Sequence, residues 1–245
     1  MSNMNNVLGI IPARGGSKRL PHKNLLPLAG KPLISYTIKA GLEAHCIDEL
    51  MVSTDDPEIA RVSVEFGAKV PFMRPSKLAQ DDTSTFAVVQ HAIDYYKTVE
   101  GKTFKFIVLL QPTSPLRDGE DVDLAMKFLY SKNADSVISV SENDHSPLWC
   151  NTLPDDLSMN TFLREELKFK RSQDLEKYYR LNGAIYICNT ARLLEEKTFF
   201  LKDRVYAHIM PQEKSIDIDT RLDLILCEIL LTEMLSTNAT CEHCQ

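Results

Sequence analysis

Apolar residues in this chain cluster in short continuous runs separated by stretches with helical spacing. Val7 to Ile11 is a nearly unbroken apolar run, as expected of a strand covered on both faces. Glu49 to Thr54 and Phe106 to Leu110 read the same way, and Ser136 to Val140, Arg180 to Ile187 and Val205 to Met210 predict three further strands. Lys69 to Met73 predicts a short one. Between them the spacing predicts helices over Pro32 to Ala44, from Pro57 to Gly67 behind Asp55-Asp56, and behind Thr83-Ser84-Thr85. The last of these carries Phe86, Val89, Ile93 and Tyr96 on one side, and Ser, Thr and Asp are the residue types that cap helix starts. Further helices are expected over Asp121 to Lys132, near Leu193, and over Arg221 to Leu235, with Leu222, Ile225, Leu226, Ile229 and Leu230 on one face. This alternation predicts an α/β fold of three layers around a mostly parallel sheet. It breaks from Glu142 to Tyr178, a polar stretch with Trp149 and the basic set Arg164, Lys168, Lys170 and Arg171. A connection of that length implies a function or a partner.

The 245 residues suit a single domain over 1–235 followed by a tail, 236–245. No window approaches the run of about 18 apolar residues that a membrane span requires. Met1 to Asn6 is polar and uncharged, unlike a secretory signal, so cytoplasmic residence is expected. Six cysteines scattered through helices, strands and tail suit reduced thiols. Cys241, His243 and Cys244 fall short of the four ligands of a closed zinc site. A net charge of −6 argues against nucleic acid as a partner.

Against that acidic balance, Pro12 to Lys31 holds five Arg or Lys residues and no Asp or Glu. The stretch from Ile10, I-I-P-A-R-G-G-S-K-R-L-P-H-K-N, runs from a strand into a loop. It matches neither the dinucleotide fingerprint nor the P-loop. Gly15 and Gly16 let backbone N–H groups turn toward a ligand, Ser17 adds a hydroxyl, and Arg14, Lys18 and Lys23 neutralise phosphate charge. The competing reading is a solvated basic loop. Asp217 and Asp219, two apart in an extended segment, share a face. They suit a hard cation such as Mg²⁺, unless one faces solvent while Asp219 or Thr220 caps the next helix. Gln111 to Arg117, Q-P-T-S-P-L-R, is a rigid polar loop suited to positioning a substrate with its amide, hydroxyls and guanidinium. These segments and Arg74 all follow strands, and in such sheets the ligand crevice lies beyond the strands' carboxyl ends.

Taken together, the basic loop, R-P at Arg74, Q-P-T-S-P-L-R, R-L-N-G-A-I-Y and S-I-D-I-D-T resemble the acylneuraminate cytidylyltransferase (CMP-sialic acid synthetase) family over about Val7 to Leu230. The resemblance implies a Rossmann-like nucleotidyltransferase fold that converts CTP and a nine-carbon keto-sugar acid into a CMP-sugar and pyrophosphate. It implies that Ala13, Gly15 and Gly16 belong to the nucleotide site, that Arg14, Ser17 and Lys18 bind the triphosphate and that Lys23 acts at the α-phosphate. Asn24 and Arg74 would hold the cytidine, and Gln111, Arg180, Asn182 and Tyr186 the sugar acid. Phe199 and Phe200 would receive its N-acyl group, and Asp217 and Asp219 would carry Mg²⁺, making Lys23, Arg14 and Asp219 the catalytic set. It further implies a homodimer in which 142–178 reaches the partner's site, with Arg171 at the sugar carboxylate. Trp149 stands where some sialic-acid members have a basic residue, so legionaminate and other nonulosonates stay open as substrates. K-R-L-P-H-K is also similar to enzymes of 3-deoxy-manno-octulosonate, but the two later motifs point away from them. The rivals from other classes are a non-catalytic nucleotide-binding protein and a dehydrogenase, the latter disfavoured by the missing glycine fingerprint.

Overall fold

The apolar runs become the strands of one sheet. The computed structural model describes residues 6–241, with side chains through Glu233, so His243 and Cys244 of the tail lie outside the described residues. In chain order the elements are β1 (Val7–Pro12), β2 (Pro27–Leu28), β3 (Lys31–Pro32), α1 (Leu33–Glu43), β4 (Glu49–Ser53), α2 (Pro57–Glu65) and α3 (Thr85–Thr98). There follow β5 (Phe106–Leu109), α4 (Gly119–Ser131), β6 (Ser136–Glu142), β7 (Tyr179–Asn189), α5 (Thr190–Glu196), β8 (Val205–Ile209) and α6 (Arg221–Cys241). The main sheet runs β4-β1-β5-β7-β6-β8. β7 is antiparallel to both neighbours, and the other pairings are parallel.

Side chains on β1 and β5 alternate between two cores, as the strand period of two requires. Val7, Ile11, Phe106 and Val108 pack with Ile34, Ile38, Val122 and Met126 of α1 and α4. Leu8, Ile10, Ile107 and Leu109 pack with Val89, Ile93 and Tyr96 of α3 and with Leu193 of α5. Because both faces are covered, these strands carry no polar alternation. The expected helix starts are capped: Asp56 accepts from the N–H groups of Glu58 and Ile59, and Ser84 from that of Ala87.

Three expectations are corrected. Lys69 to Met73 forms no strand, only isolated bridges to Met51 and Thr54, because Pro71 removes a ladder donor in its middle. Ser215 to Thr220, expected to be extended, joins neither sheet. It is irregular chain pinned by the Ile218 N–H to the Thr113 carbonyl at 2.9 Å and by the buried Ile218 side chain. On α6, the face read as buried points outward: Leu222 is 73% exposed and Ile229 52%. Of the expected face only Leu230 packs inward, together with Cys227, Leu224 and Leu231. Apolar residues surround this helix, so periodicity leaves its rotation open. Its docking is fixed by tertiary contacts, among them the Ala29 N–H donating to Glu228 Oε1 at 3.2 Å. Ala29 and Gly30, both at positive φ (44° and 80°), make the tight β2–β3 turn that presents this contact.

The segment 143–178 contains only short 3₁₀ turns and exposes Leu157, Met159 and Phe169, the last at 95%. Among the described residues no helix is long and apolar enough to cross a membrane.

At the far end of the sheet, Glu49 opens β4 with its carboxylate bonded to Lys69 and Lys102, both at 2.8 Å. Burial pushes this carboxyl up, yet Lys102, Lys69 and Tyr96 together pull it down to about 2. A depressed acid contributes stability above its unfolded pKa and loses it as pH falls toward the folded value. Glu49→Gln is therefore expected to cost about 1–2 kcal/mol at pH 7, discounted because both lysines are largely exposed. The loss should shrink as pH falls below about 4 and be mostly gone only near pH 2, as urea unfolding at pH 7 and pH 2 would register.

Candidate active site

Beyond the carboxyl ends of β1 and β5, the chain builds a cleft of ≈ 450 Å³. The basic loop forms one wall, and it is shaped by specific contacts. The Ala13 N–H bonds the Ser53 carbonyl at 2.9 Å, so the chain leaves the sheet one residue after β1. The Gly15 N–H donates to Asp55 Oδ1 at 3.1 Å. A Cβ on Gly15 would lie 2.7 Å from Asp56 Oδ2, so the approach to the first turn of α2 requires glycine. Asn24 is buried and joins the loop's two ends by donating to the Arg14 carbonyl at 3.0 Å.

Two of the loop's amides are already engaged, the Gly15 N–H by Asp55 and the Ser17 N–H by the Gly15 carbonyl at 3.0 Å, so the wall presents mainly side chains. Arg14, Ser17, Lys18, Arg19, Lys23 and Asn24 line it. Opposite stand Gln111, Pro112 and Thr113 from the end of β5, with Asp219. Lys23 Nζ lies 2.9 Å from Asp219 Oδ1, and Arg19 lies 2.7 Å from Oδ2. The lysine, with Arg19, holds this carboxyl below its usual range.

Asp217 is half-buried, and its Oδ1 is buried with no hydrogen-bond partner. Burial raises its pKa, the Asp219 charge adds to the rise, and Thr113 and Lys23 oppose it. Of the two readings offered for this motif, the helix cap is present. Thr220 does cap α6, accepting from the Asp223 N–H at 3.4 Å while Asp223 accepts from the Thr220 N–H at 2.7 Å. That leaves the Asp219 side chain in the cleft. An unpaired buried carboxylate oxygen beside a second carboxylate is a donor set that fits a hard divalent cation. Among the described residues no third acid, His or Cys completes a metal cluster, so remaining ligands would come from a substrate.

A second compartment of ≈ 270 Å³ shares Thr85 and Gln111 with the first. Tyr186, Phe199, Phe200, Phe86 and Leu109 line it, with Ser84, Lys197 and Thr198 as polar members. Burial, and then the Asp217 charge, raise the Tyr186 phenol above its usual range, so it stays a neutral hydrogen-bonding group. Gly183, at φ 73°, is the seat of the Gln111 amide: a Cβ there would lie 2.7 Å from Gln111 Oε1. Gly183→Ala is expected to displace that amide and to raise about tenfold the KM of the substrate held in this second compartment, with a smaller effect on the one held at the basic wall. Initial-rate kinetics with each substrate varied would check this.

Other residues expected in the site sit elsewhere. Arg74 is buried, and its guanidinium bonds Ser53 Oγ at 3.1 Å, the Ser53 carbonyl and the Leu78 carbonyl. It braces the end of β4 rather than lining the cleft. Arg117 is 1% exposed and donates to Thr37 Oγ1 at 3.0 Å and to the Gln111 carbonyl. Its guanidinium supports the loop from behind. Asn182 is buried, donates to Ser215 Oγ at 2.9 Å and accepts from Ser139 Oγ at 2.6 Å. Arg180 donates to the Ser215 carbonyl at 3.1 Å. These two tie β7 to the segment carrying Asp217 and Asp219. Arg171 lies in 143–178, paired with Asp174 at 3.0 Å. By sequence, Arg19 counts in the basic cluster without a role, Thr113 enters only through its loop's hydroxyls and Thr85 reads as part of a helix cap, whereas Asp81, which engages Arg14 and Lys18, is not singled out.

The cytidylyltransferase family pattern matches residues 8–228. The chain belongs to the cytidylyltransferase family. Over 231 residues it is 39% identical to the CMP-N,N′-diacetyllegionaminic acid synthase of Legionella pneumophila, covering 92% of this chain and 96% of that one. It is also 39% identical over 218 residues to an N-acylneuraminate cytidylyltransferase of Streptococcus agalactiae, covering 88% of this chain but 51% of that relative. The chain thus spans about half the length of this second relative. In fold, this cytidylyltransferase is similar to a CMP:2-keto-3-deoxy-manno-octonic acid synthetase solved with CTP, at a TM-score of 0.67 and 19% identity over 93% of this chain and 99% of that one.

Proposed function

We propose that this cytidylyltransferase transfers CMP from CTP to the anomeric hydroxyl of an N-acylated nine-carbon keto-sugar acid, releasing pyrophosphate. The observation that carries the reading is the division of charge and polarity across two joined compartments. Arg14, Lys18, Arg19 and Lys23 line the first together with Asp219, and an aromatic pocket opens from it past Gln111. A triphosphate suits the cations. A sugar acid with an acyl substituent suits Gln111, Tyr186, Phe199 and Phe200.

The anomeric oxygen forms a bond to the α-phosphorus in line with the bridging oxygen that departs. The electron pair of the broken bond leaves with pyrophosphate, and the hydroxyl proton goes to solvent. Phosphoryl-type transfer asks the protein mainly for positioning and charge stabilisation. Lys23 meets the charge growing at the α-phosphate, Arg14 and Lys18 hold the departing phosphates, and Gln111 orients the acceptor. Asp217 and Asp219 would hold Mg²⁺, which when bound supplies further neutralisation and acidifies a coordinated hydroxyl.

Pyrophosphate release decides the matter, measured with CTP, UTP or GTP and a panel of eight- and nine-carbon keto acids. Turnover is expected with CTP and an N-acylated nine-carbon acid, diacetyllegionaminate and N-acetylneuraminate being the first to compare. No release with any acceptor would leave a nucleotide-binding protein without chemistry. The exposed Leu157, Met159 and Phe169 favour a second copy covering 143–178, in which Arg171 would approach the partner's acceptor site. Sedimentation is expected to give a dimer, and a monomer at micromolar concentration would refute it.

A further inference from the structure

Two cations of the nucleotide wall are held by one carboxylate that does not line the cleft. Arg14 Nη1 lies 2.8 Å from Asp81 Oδ1, and Lys18 Nζ pairs with Asp81 Oδ2. Asp81 sits in a turn closed by the Thr83 N–H on the Gln80 carbonyl at 3.3 Å, just before Ser84 caps α3. Its side chain is 48% exposed, so no packing opposes its leaving. A phosphate tail that reaches Arg14 and Lys18 needs the same donors and brings like charge next to the carboxylate.

We propose that Asp81 is a displaceable counter-ion for the phosphate tail, competing with triphosphate and pyrophosphate for Arg14 and Lys18. The inference rests on reading this cleft as the triphosphate site. Exposed ion pairs are weak, so Asp81 moderates anion binding without blocking it. Its benefit lies at the end of the cycle. Pyrophosphate bound to uncontested cations would leave slowly, whereas a tethered carboxylate reclaims both as the product departs. A ligand with one phosphate, placed at Lys23, does not meet Asp81 and is untouched by it.

The test is calorimetric titration of CTP, pyrophosphate and CMP into wild type, Asp81→Asn and Asp82→Asn. Asp82→Asn makes the same change of formal charge one residue along. Asp81→Asn is expected to bind CTP and pyrophosphate about three- to tenfold more tightly, the combined worth of two exposed pairs. Pyrophosphate should inhibit the variant more strongly by a similar factor. CMP affinity, and all three affinities in Asp82→Asn, should stay at the wild-type values. Unchanged or weaker binding of CTP and pyrophosphate in Asp81→Asn overturns the inference. So does an equal gain in Asp82→Asn or for CMP, which would reduce the effect to net charge. If wild type binds no CTP, the reading of the cleft itself fails. If wild type binds CTP and Asp81→Asn binds it no more tightly, only the counter-ion role fails.

Discussion

Lys23→Met is expected to lower kcat for CMP transfer by about 10²–10³-fold, the usual loss when one preorganised donor to developing charge is removed. Among the cleft cations its side chain is 14% exposed, against 76% for Arg19 and 79% for Lys18. Its charge therefore acts through less solvent. It stands on a short 3₁₀ turn over Lys23–Leu25, directly before the buried Asn24, whose bond to the Arg14 carbonyl fixes the loop. Rigid placement is what lets a donor favour the transition state over the bound substrate. The nucleotide KM should accordingly change far less than kcat. Lys23→Arg is not a conservative rescue, because the planar guanidinium differs in reach and geometry from an ammonium. A raised nucleotide KM with kcat unchanged would make Lys23 a plain binding residue.

The sheet was legible because its central strands are covered on both faces. Val7 to Ile11 and Phe106 to Leu110 could show themselves as continuous apolar runs. Helix starts were legible where a local side chain closes the first turn, as at Asp56 and Ser84. What the pattern could not carry was any choice settled by distant contacts. α6 has apolar residues on more than one stripe, and its rotation is set by the β2–β3 turn and the core around Ile218.

The same boundary runs through the site. Arg14, Lys18, Arg19 and Lys23 lie close together in sequence and on one wall in space, so charge counting found them. Asp81 reaches them only through the fold, and no spacing in the chain connects it to the loop. Arg117 and Arg74 show a second way in which the fold decides what spacing cannot. An arginine following a strand looks available to a ligand, but here buried carbonyls of the framework take up the guanidinium. Asn182 and Arg180 act one step back from the cleft, holding Ser215 and through it the acidic segment.

That segment gives the second large effect, and in it stability and activity part company. Asp217→Asn is expected to lower turnover at least 10²-fold while raising the Tm of the metal-free protein by about 2–4 °C. Burial and the neighbouring Asp219 charge raise the Asp217 pKa in the folded state. For an acid shifted upward, the folded state is penalised as pH rises above the unfolded value, and the penalty is complete above the folded one. Asparagine removes the charge and keeps the shape, so the gain in Tm should be present at pH 7 and disappear below about pH 4, the ordinary carboxylate range. Asp219→Asn lacks this profile, because Lys23 and Arg19 pair with that carboxylate and hold its pKa down. That substitution should lower both Tm and turnover. A Mg²⁺ titration of Tm adds a further readout: wild type should gain stability with the cation, and both variants should gain much less. A wild-type Tm that ignores Mg²⁺, together with an Asp217→Asn protein of normal turnover, would remove the metal from this site. The two carboxylates would then serve only to order Lys23.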